Sequence, residues 1–283
     1  MSALFRTELV KAVRRTRTMI GAGLLIALPA LIVWAIHQRP GRPDNPDRAF
    51  GLFRLAHQSG LLVPASVLNA TDGFLLVVMA GLLAGDTVAS DASWGNLRYL
   101  LLRPVGRLRL LAAKTGVTAL LIWASVTLVA LSALVAGLLA FGSHPLVVPS
   151  FPFGGPGGGP FVGYTLSTSA LLLRTVIATA YVAASYTALL GVGVFLSTVI
   201  DVPSGAIGAA IGVYIVSQIL DGITALGQVR YGFPTHYLDA WQPMFTENRY
   251  PHDMAVGMGV QVAWLVVFGT AACVWFARKD IRT

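Results

Sequence analysis

Six long apolar stretches constrain the fold of this chain more than any other feature of its sequence. They lie at about residues 19–37, 67–85, 115–141, 170–200, 202–221 and 254–277. Each is close to or above the roughly 20 residues that a helix needs to cross a bilayer. Only 11% of the 283 residues are charged, whereas a soluble domain carries about 25%. The sequence therefore predicts an all-α polytopic membrane protein, with residues 1–283 forming a single transmembrane domain, and it disfavours a soluble enzyme.

Positive charge collects on one side of the predicted spans. With six crossings, thirteen lysines and arginines fall on the side of the two termini and six on the other side, with Arg174 inside the fourth stretch. Because cytoplasmic loops carry the excess of lysine and arginine, we expect both termini to be cytoplasmic. This topology explains the net charge of +8, so the basic composition does not call for a nucleic acid as partner.

Residues 1–18 are predicted to form an amphipathic cytoplasmic helix. Phe5 starts an apolar pattern with the i, i+4, i+7, i+8 spacing, which continues through Leu9, Ala12 and Val13. Such a helix can lie on the membrane with its basic side toward anionic lipid headgroups. A simple topology anchor and a contact with a partner protein are both open interpretations. The candidate residues of this interfacial helix are Phe5, Glu8, Lys11, Arg14 and Arg15.

The connection after the second stretch, residues 86–112, has more order than a turn between two spans requires. On a helix, Asp91, Gly95 and Arg98 fall on one face. Pro104 then ends the helix. A basic turn at the membrane surface would explain the arginines, but it would not explain acidic residues and a glycine in register.

This connection resembles the cytoplasmic signature of permease subunits of type-2 ATP-binding-cassette (ABC) exporters. The matching residues are Gly85, Asp86, Asp91, Gly95, Leu97, Arg98, Pro104, Val105, Arg107 and Lys114. The sequence departs from the pattern at Asp91, where glutamate is usual, and at Asn96, where threonine is usual. Residues 234–241, Pro-Thr-His-Tyr-Leu-Asp-Ala-Trp, also resemble bacterial members of this family, so the resemblance covers essentially the whole chain.

The resemblance implies a subunit of an ATP-driven exporter in the bacterial cytoplasmic (inner) membrane. Such permeases pair with a second copy or a sister permease and with two copies of a separate cytoplasmic ATPase, on which a coupling helix after the second span docks. The coupling residues that it implies are Gly85, Asp86, Asp91, Gly95, Arg98, Pro104 and Arg107. This sequence has no Gly-x-x-x-x-Gly-Lys-Ser/Thr loop. We therefore expect no enzymatic activity and no cofactor on this chain, with ATP and Mg²⁺ bound by the ATPase.

Polar and aromatic residues within the spans are candidates for a translocation path. A charge at the bilayer centre costs about 2.5–3.5 kcal/mol on insertion scales, so such residues tend to be functional. Arg174 either lines the path or snorkels to the outer surface, and residues 161–174 are either re-entrant or part of the fourth span. The candidate path residues are Met79, Arg174, Tyr186, Tyr214 and Gln218.

Other functional classes have weaker support. His236, Asp239, Glu247, His252 and Asp253 share the third outer loop, but their spacing matches no zinc motif, so we expect no metal site. A membrane-embedded lipid-modifying enzyme would need a convergent acid, base or metal set. An ATP-independent channel or sensor would need no ATPase. Because no large outer domain is predicted, the expected substrate is a small amphiphile, such as a drug, a peptide antibiotic or a lipid-like molecule.

Overall fold

A computed structural model of the protein describes residues 2–38, 52–93, 106–148, 163–246 and 251–279. Within these residues, six helical stretches are long and apolar enough to cross a membrane. The prediction of an all-α polytopic membrane protein with six candidate spans is therefore confirmed.

The elements follow one another along the chain with short connections. The first are α1 (Ser2–Val13), α2 (Thr16–Gln38), α3 (Leu52–Ala56), α4 (Val63–Thr71), α5 (Leu75–Ser93) and α6 (Arg107–Phe141). A two-stranded sheet of β1 (Leu146–Val148) and β2 (Tyr164–Leu166) follows. The remaining elements are α7 (Thr168–Ala184), α8 (Thr187–Val199), α9 (Pro203–Gly222), the 3₁₀ segment Thr224–Gly232, α10 (Pro243–Thr246) and α11 (Asp253–Arg278).

One of the predicted spans is a broken helix, and another is displaced along the chain. The second stretch, residues 67–85, overlaps α4 and α5, which are separated by a turn at residues 72–74, and α5 alone is long enough to cross a membrane. The fourth stretch, residues 170–200, corresponds to α7 and α8, which are separated at Ser185 and Tyr186. The other four spans are the continuous helices α2, α6, α9 and α11.

The segment before Arg174 is not a separate re-entrant helix in its described part. Tyr164–Leu166 forms β2, which pairs antiparallel with β1 so that Leu166 lies opposite Leu146. Helix α7 then begins at Thr168 and continues past Arg174. Residues 168–184 therefore belong to the fourth span, whereas the small sheet is an element that the sequence analysis does not predict.

Two spanning helices extend beyond the boundaries that hydropathy suggests. Helix α5 continues through Asp86 and Asp91 to Ser93, and α6 begins at Arg107 instead of residue 115. The charged residues do not end these helices because they find partners inside the bundle. The predicted coupling residues Gly95, Arg98 and Pro104 lie outside the described residues.

Helix α2 contains a proline, Pro29, in its interior. Proline lacks the N–H group that would bond the carbonyl four residues earlier, which is that of Leu25. The hydroxyl of Ser132 on α6 donates to this Leu25 carbonyl oxygen at 3.4 Å. Because a free carbonyl is costly in the absence of water, this contact makes the proline tolerable and ties α2 to α6.

Helix α5 is the central helix of the bundle and packs closely against α8 and α9. A Cβ atom on Gly85 would lie 2.7 Å from the backbone of Ile207, and one on Gly193 would lie 2.4 Å from the Cβ of Ala84. Small residues allow helix backbones to approach closely in membranes. Gly85, which the resemblance assigns to ATPase coupling, therefore packs α5 against α9.

The outer surface of the bundle is apolar. Met19 and Trp34 on α2 are 64% and 63% exposed, and Val267 on α11 is 60% exposed. Large exposed apolar surfaces on soluble proteins mark contact sites. On helices of spanning length, they provide the surface that lipid chains contact.

We expect Gly85→Ala to destabilise the protein by about 1–3 kcal/mol, because the added methyl group would push α9 away from α5. Thermal unfolding of the purified protein in detergent measures the effect. Gly208→Ala is the matched control, since a Cβ on Gly208 meets no atom within 4 Å. Equal unfolding temperatures for the two variants would contradict this packing role.

Candidate coupling site at the basic end of the bundle

Helix α1 lies against the protein at one end of the bundle, here called the basic end. This end contains α1, the beginnings of α2 and α6, and the ends of α5 and α11. A Cβ on Gly116 of α6 would lie 3.4 Å from the ring of Phe5. Val10 and Val13 remain 44% and 47% exposed. Helix α1 therefore docks on α6 through its Phe5 side and presents a different apolar side to its surroundings.

The side chain of Lys114 connects three helices. Lys114 lies on α6 and is only 5% exposed. Its Nζ donates to Glu8 Oε2 on α1 at 2.9 Å and also to Asp91 Oδ2 on α5. Buried charges are tolerated only when they are paired and hydrogen-bonded. The Lys114 ammonium can therefore remain buried because both carboxylates converge on it.

Further ion pairs hold the corner between α1 and α2 against α5. Lys11 Nζ lies 2.8 Å from Asp91 Oδ1, and Arg17 Nη1 lies 2.8 Å from Asp86 Oδ1. Arg15 contacts Asp86 through one Nη atom and donates through the other to Ser90 Oγ at 3.2 Å. Both aspartates are almost completely buried. The bonds of Lys11, Arg15 and Arg17 to these aspartates join segments that lie about 70–80 residues apart in the sequence.

We call this set of seven charged residues the ion-pair cluster. Its members are Glu8, Lys11, Arg15, Arg17, Asp86, Asp91 and Lys114. Four cations face three carboxylates, so the cluster as a whole carries one excess positive charge. Because removing one partner of a buried pair leaves an uncompensated charge, each member constrains the position of the helix that carries it.

The structure shows the surroundings of the predicted coupling residues Asp86, Asp91 and Arg107. Asp86 and Asp91 are not available as exposed contact residues because they are buried among the cations of the cluster. Arg107 is exposed at the start of α6 and donates to the carbonyl oxygens of Lys279 and Ala277 at 3.0 and 3.3 Å. Arg107 therefore ties α6 to the end of α11.

The predicted interfacial residues divide into two groups. Glu8, Lys11 and Arg15 join the cluster, whereas Arg14 is exposed and Phe5 packs at Gly116. Sequence reasoning did not identify Arg17 or Lys114 as site residues. For Lys114 a signal exists, because a lysine inside a long apolar helix needs an acidic partner, and acids occur on both neighbouring segments.

Two of the candidate path residues, Met79 and Arg174, join neighbouring elements of the bundle. A Cβ on Gly21 of α2 would lie 2.7 Å from the sulfur of Met79, so Met79 fills space between α2 and α5. Arg174 is 8% exposed, and its Nη1 donates to the carbonyl oxygen of Met244. The Arg174 side chain therefore does not snorkel to the surface but joins α7 to the segment around α10.

The acidic and histidine residues of the far end, opposite the basic end, pair locally. His236 Nδ1 lies 2.6 Å from Asp221 Oδ1, and Gln242 Nε2 donates to Asp239 at 2.7 Å. Among the described residues, no three histidine, cysteine or acidic side chains come together as a possible metal site. Glu247 lies outside this part of the chain.

We expect Lys114→Met to destabilise the protein by about 3–5 kcal/mol, because Glu8 and Asp91 would stay buried with less compensating charge. Thermal unfolding in detergent measures the loss, and limited proteolysis shows whether α1 detaches. The matched control is Lys279→Met, since Lys279 pairs with Asp201, whose side chain is 63% exposed, and such surface pairs contribute about 0–1 kcal/mol. Similar losses in the two variants would contradict the special role of Lys114.

A comparison with known protein families identifies the family of this chain. The model of a family described as ABC-2 family transporter protein matches residues 4–200, well over half of the chain. This range includes the whole ion-pair cluster and the first four spans. None of the curated proteins matches the sequence. The resemblance to type-2 ABC permeases is thus confirmed: the chain belongs to the ABC-2 transporter family, as a multi-pass membrane subunit of an ABC transporter.

Proposed function

We propose that this chain is the membrane-spanning subunit of an ATP-driven exporter. Two permeases, either two copies of this chain or this chain and a sister permease, form the translocation path. Two copies of a cytoplasmic ABC ATPase supply the energy by binding ATP and Mg²⁺. The ion-pair cluster carries this proposal. It joins α1 to the end of α5 and the start of α6, between which residues 94–105 form the connection.

The basic end is assigned to the cytoplasm. The described exposed or half-buried cations of this end include Arg14, Arg109, Arg278 and Lys279. An excess of lysine and arginine on one side of the spans favours the cytoplasmic side for that end. In this orientation, residues 94–105 face the ATPase, and both termini are cytoplasmic.

Residues 94–105 are assigned the direct contact with the ATPase, with Gly95, Arg98 and Pro104 among them. Asp86 and Asp91 act as positioning residues, because their carboxylates hold α5 to the cations of α1, α2 and α6. A docking segment transmits a displacement only if the helices on both sides of it move together. The cluster supports this role because it makes α1, α5 and α6 one rigid unit.

The transport cycle follows from this arrangement. ATP binding closes the ATPase dimer and pulls on residues 94–105. The rigid unit then tilts, and the spans open a path toward the far end between the two permeases. If the three helices move as a unit, the buried ion pairs stay intact. If α5 moved alone, Asp86 and Asp91 would separate from their cations and leave buried charges without a partner.

A small amphiphile is the proposed substrate class. The described elements at the far end are short: the two three-residue strands, α10 and the 3₁₀ segment. These elements provide no large binding domain of the kind that a polymer would need. An amphiphile can instead reach the path from the apolar surface of the bundle.

The proposal predicts that the chain copurifies with the ABC ATPase encoded beside its gene and stimulates its ATP hydrolysis. Inverted membrane vesicles that contain both proteins should then take up a substrate only in the presence of ATP. Recovery of the chain alone, with no effect on that ATPase, would contradict the proposal and favour a lipid-modifying enzyme or an ATP-independent channel or sensor.

Two variants make this experiment specific to the cluster. In Asp86→Asn, Arg15 and Arg17 lose their counter-ion, and we expect stimulation to fall by roughly 2- to 30-fold, the range of about 0.5–2 kcal/mol typical of coupling. Asp201→Asn removes a negative charge from the same end of the bundle but outside the cluster, and should retain stimulation. Equal stimulation by both variants would show that the cluster does not couple the ATPase to the spans.

A further inference from the structure

The turn between α4 and α5 contacts the break within the fourth span, and this place is here called the crossing. The Tyr186 hydroxyl, at the break between α7 and α8, donates at 2.7 Å to the backbone carbonyl oxygen of Asp72, at the break between α4 and α5. Gln218 Nε2 of α9 donates at 3.3 Å to the backbone carbonyl oxygen of Gly73. Side chains of neighbouring helices therefore satisfy backbone carbonyls at the turn. Broken spanning helices commonly form the substrate and ion sites of transporters.

Two buried polar side-chain atoms at this crossing have no hydrogen-bond partner among the described residues. They are the Oδ2 atom of the Asp72 carboxylate and the hydroxyl oxygen of Tyr214. Asp72 is 5% exposed and Tyr214 is 2% exposed. The Tyr214 ring lies 6.3 Å from that of Tyr186, whose hydroxyl contacts the Asp72 backbone. Both unpartnered atoms thus lie at the crossing.

Opposing effects act on the charge of Asp72. Burial of its carboxyl group and the nearby Asp239 disfavour the ionised form, whereas a hydrogen bond from the backbone N–H of Gly73 favours it. Asp72 also lies between the C-terminus of α4, which disfavours an anion, and the N-terminus of α5, which favours one. An ionised carboxylate at this position is therefore costly unless a proton or a cation neutralises it. None of the lysines and arginines in the described residues forms an ion pair with Asp72.

Apolar side chains are exposed close to this turn along the chain and on the neighbouring helix α9. Phe74, two residues after Asp72, is 70% exposed, and Val216 and Ile219 of α9 are 54% and 60% exposed. These two residues flank Gln218, which bonds the same turn. An amphiphile could therefore place its apolar body on this surface while its charged group reaches the turn.

We propose that the crossing binds the cationic group of the transported molecule, with the Asp72 carboxylate as its counter-ion. Tyr214 completes the site with its hydroxyl, and the rings of Tyr186 and Tyr214 add attraction for a cation. The inference rests on the proposed export function and narrows the substrate class to cationic amphiphiles.

The test measures binding to the purified full-length chain in detergent, without an ATPase. The probes are tetraphenylphosphonium and tetraphenylborate, which have nearly the same shape and opposite charge. Equilibrium dialysis should show that the protein binds the phosphonium and discriminates against the borate. Asp72→Asn should weaken phosphonium binding by roughly tenfold, the size expected when the opposite charge is removed from near a cation that forms no hydrogen bond. Tyr214→Phe should weaken it by a smaller factor.

Asp201→Asn is the matched control, because it removes a carboxylate at the opposite end of the bundle and should leave binding unchanged. Equal binding of the two probes, or wild-type phosphonium binding by Asp72→Asn, would overturn the inference. If Asp72→Asn does not fold, Tyr214→Phe decides the question, and unchanged phosphonium binding by that variant overturns the inference. Since no ATPase takes part, a negative result here leaves the test by ATPase copurification intact.

Discussion

The buried ammonium of Lys114 is the interaction on which the rest of the basic end depends. It lies where α1, α5 and α6 meet and bonds one carboxylate from each of the other two helices. Without it, Glu8 and Asp91 would be buried with less compensating charge, which favours separation of the helices. The contacts of Lys11, Arg15 and Arg17 extend the same arrangement to the start of α2. The three helices consequently behave as one body at the point where an ATPase would act.

The two ends of the bundle are held by different interactions. At the basic end, ion pairs join side chains to side chains. Toward the far end, neutral side chains bond the backbone, as Tyr181 does at the Tyr237 carbonyl oxygen (2.7 Å) and Gln261 at the Pro234 carbonyl oxygen (2.7 Å). Breaking a single neutral hydrogen bond costs about 0.5–1.5 kcal/mol, less than disrupting a buried ion pair.

The fold class could be predicted from the sequence because hydrophobicity alone identifies spans. The ends of the helices could not be predicted in this way. Hydropathy places the end of a span at the first charged residue, and it cannot show that Asp91 contacts Lys114 inside the bundle. For the same reason, Asp86 and Asp91 were predicted as surface contacts. The partner of Arg174 was also hidden, because the Met244 carbonyl is 70 residues away. The residue types thus indicated which positions were unusual, whereas only the structure could show which distant residues they contact.

The central claim is that α1 and α6 move together during transport, and a cross-link between them tests it most directly. Cysteines at positions 5 and 116, in a chain whose exposed Cys273 is replaced by serine, can be joined by a short bifunctional maleimide. The account predicts that ATP-driven uptake into inverted vesicles persists after cross-linking, because the helices need not separate. Loss of uptake on cross-linking, with uptake intact in the unlinked double-cysteine protein, would contradict the account.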